Sequence, residues 1–292
     1  MTAAGDGALQ GDADAAGRLT GRPVTAVRPT GAGLTRLELE GVGAVLVKRG
    51  SGPGAAPAEA AGLRWLAEAE AVPVPRVHGA DADRLVIDVV SEGRPSPDAA
   101  RELGRSLAAL HAAGAPAFGS PPPGGPVEAW IGDAPMRNET GPTWAPWYAE
   151  HRVLPYLRRA VDLGVLSGEG VGVLEQVCEA LPGLAGPEEA PARLHGDLWN
   201  GNVLWGGDGR AWLIDPAAHG GHRESDLAML ALFGCPHLDL VLDGYQAARP
   251  LAGGWRQRVG LHQLFPLLVH TVLFGGGYGE QAVAAARAAL HG

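Results

Sequence analysis

Short runs of alternating apolar and polar residues dominate the chain up to about residue 90. In "TRLELE" (35 to 40), Leu37 and Leu39 alternate with charge, which is the period of a half-buried strand. "AVLVK" (44 to 48) follows the turn Gly41-Val42-Gly43, so the two runs predict a β-hairpin. "RPVTAVRP" (22 to 29) predicts an extended segment before them, and "RLVIDVV" (84 to 90) is an apolar run short enough for a buried strand. A helix is predicted between them, at about 57 to 70. The first part therefore reads as a small sheet with one helix.

At "SEGRPSP" (91 to 97) the pattern breaks, as at a hinge. Ser96-Pro97 offers an N-cap followed by proline at the first helical position. Beyond it Leu103, Leu107 and Leu110 share one helical face, and further helical segments are expected near 145 to 160, 170 to 181, 225 to 233 and 256 to 274. "APAFGSPPPGGP" (115 to 126) predicts a surface loop, and 127 to 148 reads as irregular. The expectation is an α+β fold of two lobes, residues 1–90 and 91–292, the second mainly helical.

Composition narrows this further. With 46% apolar and 19% charged residues a packed protein is expected, with disorder confined to the extreme N-terminus. The net charge, 23 − 32 = −9, disfavours general binding to nucleic acid or anionic membranes. "MTAAGDGALQGDADAAG" lacks the basic and apolar regions of a secretory signal, and the apolar stretch Leu261 to Phe274 is too short to cross a bilayer. A cytoplasmic protein is expected, a monomer with a dimer left open. Cys178 and Cys235 have no metal-ligand spacing and read as small buried residues without a disulfide.

The densest chemical signal is "RLHGDLWNGNVLWGGDGRAWLIDPA" (193 to 217). Asp197 and Asn202 stand five apart, the spacing of the base and the magnesium ligand in the catalytic loop of phosphoryl-transfer enzymes. "VLW" (203 to 205) and "AWLI" (211 to 214) flank the turn "GGDG" and predict a hairpin whose mouth places Asn202 beside Asp215. An amide oxygen and two carboxylates there suit a hard cation such as Mg2+, which would bridge nucleotide phosphates.

Lys48 is the one lysine among 23 basic side chains, the other 22 being arginine. It ends a predicted strand, and Glu59 shares a helical face with Leu63, Leu66 and Glu70. A strand lysine paired with a helix glutamate is how phosphates are held in phosphoryl transfer, and a compact ammonium fits where a guanidinium would overreach. Gly31 and Gly33 in "PTGAGLTRLELE" supply a turn whose amides could cover phosphates.

In this order the residues resemble the fructosamine (ketosamine) kinases, relatives of aminoglycoside phosphotransferases and choline kinases within the protein-kinase-like fold. The resemblance rests on "LHGDLWNGNVLW", "IDPAAHGGHRESDLAMLALFG", "FGGGY" (274 to 278), "LGRSLAALH" (103 to 111) and "EAAGLRWL" (59 to 66), and spans nearly the whole chain. It implies ATP and Mg2+, with Asp197 as catalytic base, Asn202 and Asp215 as metal ligands, Lys48 on the phosphates and Glu59 as its partner. It also implies a hinge strand, Asp88, Val89 and Val90, whose backbone meets adenine. Asp226 is implied to pin the catalytic-loop backbone, with a helix cap as the alternative, and His195 to orient that loop. Trp199 is expected to stack on a sugar. His222 and Arg223 are expected to contact substrate or brace the site, and some of Trp130, Trp144 and Trp147 to line the acceptor pocket. In this family the product is a ketosamine, free or protein-bound, phosphorylated on the third sugar carbon. The sequence departs from the family at Asn200 and His219, and Pro216-Ala217 replaces the phenylalanine-glycine pair of protein kinases.

Three other readings stay open: a kinase for an aminoglycoside or free sugar, a catalytically inactive kinase-like binding module, and a metal hydrolase built on His195, Asp197, Asp215, His219 and His222.

Overall fold

The computed structural model describes residues 3–31, 33–166 and 168–291. It opens with a helix, α1 (Ala3–Thr20), where composition led us to expect disorder. A tertiary anchor explains the difference. Asp12 is fully buried and accepts from Thr35 Oγ1 (2.7 Å), Arg49 Nη2 (2.6 Å) and Arg84 Nε (3.0 Å), three positions remote in sequence. Small Ala13 and Ala16 let the helix lie close against the sheet.

That sheet comprises β1 (Val24–Gly31), β2 (Leu34–Leu39), β3 (Gly43–Arg49), β4 (Val77–Ala80) and β5 (Arg84–Asp88), antiparallel in the order β1-β2-β3-β5-β4. The β2–β3 hairpin forms as its alternation predicts. Because side chains alternate across a strand, Val45 and Val47 join Leu37, Leu39 and Val86 under α1, and Lys48 falls on the opposite face. That face is covered by α2 (Ala55–Glu68), whose Ala60 and Leu63 pack on Leu85 and Ile87. The helix stops before Glu70, which has φ of 49° and is exposed, so the predicted face ends at Leu66.

The crossing between lobes is tied down at two points: Gly93 N donates to Trp205 O (2.6 Å) and Gly207 N donates to Ser91 O (2.7 Å). α3 (Pro97–Ala112) then starts as expected, with Ser96 Oγ accepting from Ala99 N (3.2 Å) and Leu103, Leu107 and Leu110 buried. The region from 127 is less irregular than its sequence suggests: β6 (Glu128–Ile131) and β7 (Ala134–Arg137) form a hairpin, followed by α4 (Trp144–Tyr148). In the preceding proline and glycine loop Phe118 and Ser120 are buried, so only part of it is surface.

A π-helical turn leads into α5 (Leu154–Asp162), and α6 (Gly168–Leu184) follows. β8 (Ala192–Leu194), β9 (Val203–Trp205), β10 (Ala211–Leu213) and β11 (His219–Gly221) form two small ladders, β8 with β11 and β9 with β10. α7 (Glu224–Leu232), α8 (Leu238–Ala248), α9 (Trp255–Phe274) and α10 (Tyr278–His291) complete the chain, α8 and α10 without counterpart in the predicted pattern. The fold is thus two-lobed and α+β, the larger lobe mainly helical. One core joins α4, α6, α9 and α10, and a second joins α3 and α8 to the β9–β10 hairpin. Both cysteines are free and half-buried. No described helix is long and apolar enough to cross a membrane.

Candidate active site

The β9–β10 hairpin brings Asn202 and Asp215 together, since Ile214 N donates to Asn202 O (3.1 Å) at its mouth. Asn202 spends both amide hydrogens on Asp197, one on the backbone oxygen (2.8 Å) and one on Oδ2 (2.9 Å). Its own side-chain oxygen is left over as an acceptor. Asp215 has φ of 53°, a left-handed conformation costly for a residue with a Cβ, of the kind that clusters at functional sites.

Lys48 reaches this hairpin from the other lobe. Its Nζ lies 2.8 Å from Glu59 Oε2 on α2 and 2.9 Å from Asp215 Oδ1. The two carboxylates hold the ammonium protonated against its burial. Glu59 Oε1 is buried without a hydrogen-bond partner, and burial together with nearby Asp215 pushes this carboxyl up to about 7, against the pull of Lys48. Burial likewise raises Asp197 to about 7, with the Asp215 charge adding to it and the Asn202 hydrogen bond opposing it.

The loop carrying Asp197 is braced from behind. Asp226 does not cap α7; its carboxylate accepts from His195 N (2.8 Å) and Gly196 N (2.9 Å), and His111 Nε2 lies 3.1 Å away. Gly196 has φ of 82°, and a Cβ there would stand 2.1 Å from Ala217 O, so only glycine fits. His195 donates from Nε2 to Ile214 O (2.9 Å) and accepts at Nδ1 from Asp197 N (3.3 Å), which makes it a neutral orienting group. Burial keeps it so, pushing its pKa down.

These groups open into a cleft of about 310 Å³. Lys48, Glu59, Asp197, Asn202 and Asp215 form its chemical end, and Trp199, Trp130 and Phe274 stand among the apolar residues of the rest. Trp199 is 39% exposed and meets Phe233 edge to face. Gly31 ends β1, and Gly33, with φ of 75°, sits at the exposed tip of the β1–β2 hairpin; Leu34 beside it pairs with Lys48. Gly33 does not line the cleft.

Other expected residues lie elsewhere. His222 and Arg223 do not enter the cleft. Arg223 forks onto Glu189 (2.5 and 2.8 Å), and His222 is buried against Trp144 and His262, so both brace the lobe. Trp144 and Trp147 belong to the core, and only Trp130 of that trio reaches the cleft. The Asp88 carboxylate turns away toward His78 Nε2 (2.6 Å), and neither it, Val89 nor Val90 lines the cleft. The hydrolase grouping is not assembled: among the described residues, no three of His195, Asp197, Asp215, His219 and His222 bring their ligand atoms together as a metal site requires. Among the described residues His222, Glu224 and His262 do converge, but Arg258 holds both Glu224 oxygens (2.9 and 2.5 Å). Sequence reasoning missed Met229, Val269, His270 and Leu273 of the cleft, which read there as ordinary helix faces.

Residues 46–291 match the model of the fructosamine kinase family. A probable ketoamine kinase of Synechocystis is 36% identical over 229 residues, 77% of this chain and 75% of that protein. A crystal structure of a candidate fructosamine-3-kinase from Thermobifida fusca superposes with a TM-score of 0.89 at 50% identity, covering 96% of this chain and 98% of that one. A macrolide 2'-phosphotransferase of type I, at 19% identity and a TM-score of 0.61 over 99% of this chain and 97% of that one, shares the fold.

Proposed function

Because the chain belongs to the fructosamine kinase family, we propose that it transfers the γ-phosphoryl group of ATP to a sugar hydroxyl of a ketosamine, at the third sugar carbon. The observation that carries this is the convergence of Lys48 from one lobe and Asp215 from the other at 2.9 Å, in a cleft that also holds Asp197. A binding module has no need for that arrangement.

In this reading Asp197 accepts the proton of the acceptor hydroxyl while the acceptor oxygen bonds to the γ-phosphorus and the bond to the β-phosphate oxygen breaks, releasing ADP. A base with a pKa near 7 is matched to that task at neutral pH. Asn202 aims the carboxylate, and Lys48, kept cationic by Glu59, offsets charge on the phosphates. The residues present suit magnesium: the spare Asn202 oxygen and the Asp215 carboxylate are hard donors at one hairpin mouth. Bound there, the ion would neutralise phosphate charge. Beyond the residues that line the cleft, the backbone at Gly33 would cover phosphates, and the backbone at Asp88 to Val90 would meet adenine. A monomer in the cytoplasm is part of the same proposal.

The cleft also bears on the acceptor. Among the described residues its only carboxylates are Glu59, Asp197 and Asp215, all at the transfer end. Polycationic aminoglycosides would find no acidic partner in the remainder, whereas the face of Trp199 suits a sugar ring.

The test is ATP turnover with Mg2+ and either fructose-lysine or ribulose-lysine, the product identified by mass spectrometry. Phosphorylated ketosamine is expected, abolished by Asp197→Asn. Turnover on an aminoglycoside or free sugar, with none on either ketosamine, overturns the reading.

A further inference from the structure

Strand β6 alternates, so Ala129 and Ile131 enter the core while Trp130 points the other way, into the cleft between the lobes. Its ring does not end in solvent. The indole Nε1 donates to Pro53 O (3.1 Å), and the ring crowds Gly52, where a Cβ would come within 2.2 Å of it. Gly52 and Pro53 belong to the short link between β3 and α2, the segment joining Lys48 to Glu59. Around the link, Gly50 N donates to Asp83 O (2.9 Å) and Ala55 N to Gly52 O (3.1 Å). One aromatic side chain of the acceptor lobe thus touches both the acceptor space and the mount of the phosphate-binding lysine.

We propose that Trp130 is a positioning residue that latches the Gly50–Gly54 link to the acceptor side, so that acceptor and nucleotide bind cooperatively. The proposal rests on the phosphotransferase reading for the identity of its two ligands. An acceptor filling the cleft presses on a ring already bonded to the link, and anything that fixes the link fixes Lys48 and Glu59 at its ends. By linkage, nucleotide must then tighten acceptor binding as much as acceptor tightens nucleotide. Gly52 lies outside the left-handed region, so its lack of a side chain reflects the ring above it and not the backbone.

Two variants address the latch from opposite sides. Trp130→Phe keeps most of the ring but loses the bond to Pro53, and Gly52→Ala pushes the ring away. Two measurements are made on each full-length protein. The first is amide exchange at Gly50 and Ala55, expected to quicken about fivefold when the bond is lost. The second is the Kd of an ATP analogue with Mg2+, without and with saturating fructose-lysine. The wild-type ratio is expected to be about fivefold or more and to fall toward one in both variants, with melting temperature little changed. Unchanged exchange, or a ratio that survives both substitutions, overturns the latch. Failure of the wild type to bind nucleotide would instead count against the phosphotransferase reading, while the exchange measurement still decides whether Trp130 holds the link.

Discussion

Asp226 accepts the amide hydrogen of Gly196 at 2.9 Å, one residue before Asp197, from a position 30 residues further along the chain. Its other oxygen takes His195 N and faces His111, so a single buried carboxylate sets the backbone from which the proposed base projects. Asp226→Ala is therefore expected to cost about 3 kcal/mol or more, through several charge-assisted hydrogen bonds. It should also lower kcat far more than the KM for ATP. Equilibrium unfolding and steady-state kinetics check this, and an unchanged kcat would detach the brace from catalysis.

Lys48→Arg keeps the charge but not the shape. The ammonium fits between Glu59 and Asp215 at 2.8 and 2.9 Å, and a guanidinium on a longer reach cannot occupy the same point. A loss of at least about tenfold in kcat/KM for ATP is expected, corresponding to ~1.4 kcal/mol. Near-wild-type kinetics would mean the single lysine is an accident of composition.

Trp199→Ala should raise the acceptor KM about tenfold and leave the KM for ATP unchanged, because in the proposed reading this cleft-lining ring packs on the acceptor's sugar. Equal effects on both substrates would place the ring in loop packing instead.

The buried histidines make stability depend on pH. Burial holds His195, His219, His222 and His262 below the ordinary value of 6.5, His219 down to about 3. The unfolded chain takes up these protons as pH falls through 6.5, and the native protein does not. Stability is therefore complete above that pH and declines below it, by about 1.4 kcal/mol at pH 5.5 for each histidine still neutral. Glu224 adds a lower window: burial would raise it, but His262 and the Arg258 fork hold it down to about 2, so its contribution is lost between 4.5 and about 2. Denaturant midpoints at pH 7.5 and 5.5 measure the first window, and equal midpoints would contradict it.

Asp12→Ala leaves Arg49 and Arg84 without their buried carboxylate. A destabilisation of about 3 to 5 kcal/mol is expected. Calorimetry checks it; a shift of less than 1 °C would mean that α1 merely rests on the sheet.

Much of this molecule was already written along the chain. The alternation of Leu37, Leu39, Val45 and Val47 determined the β2–β3 hairpin, and with it the face on which Lys48 stands, because a two-residue period leaves one register. The turn "GGDG" between two apolar runs determined that Asn202 meets Asp215. Both are local outcomes, settled by residues close together in sequence. What only the tertiary structure decided involves groups far apart. Nothing near Asp12 announces Arg49 and Arg84, nothing near His222 says that its ring will pack against Trp144 and not meet a substrate, and nothing near Trp130 says that it will reach Pro53 in the other lobe. Period and propensity describe which side of an element is apolar; which partner covers that side depends on how the elements pack, and that is fixed only when the whole chain has folded.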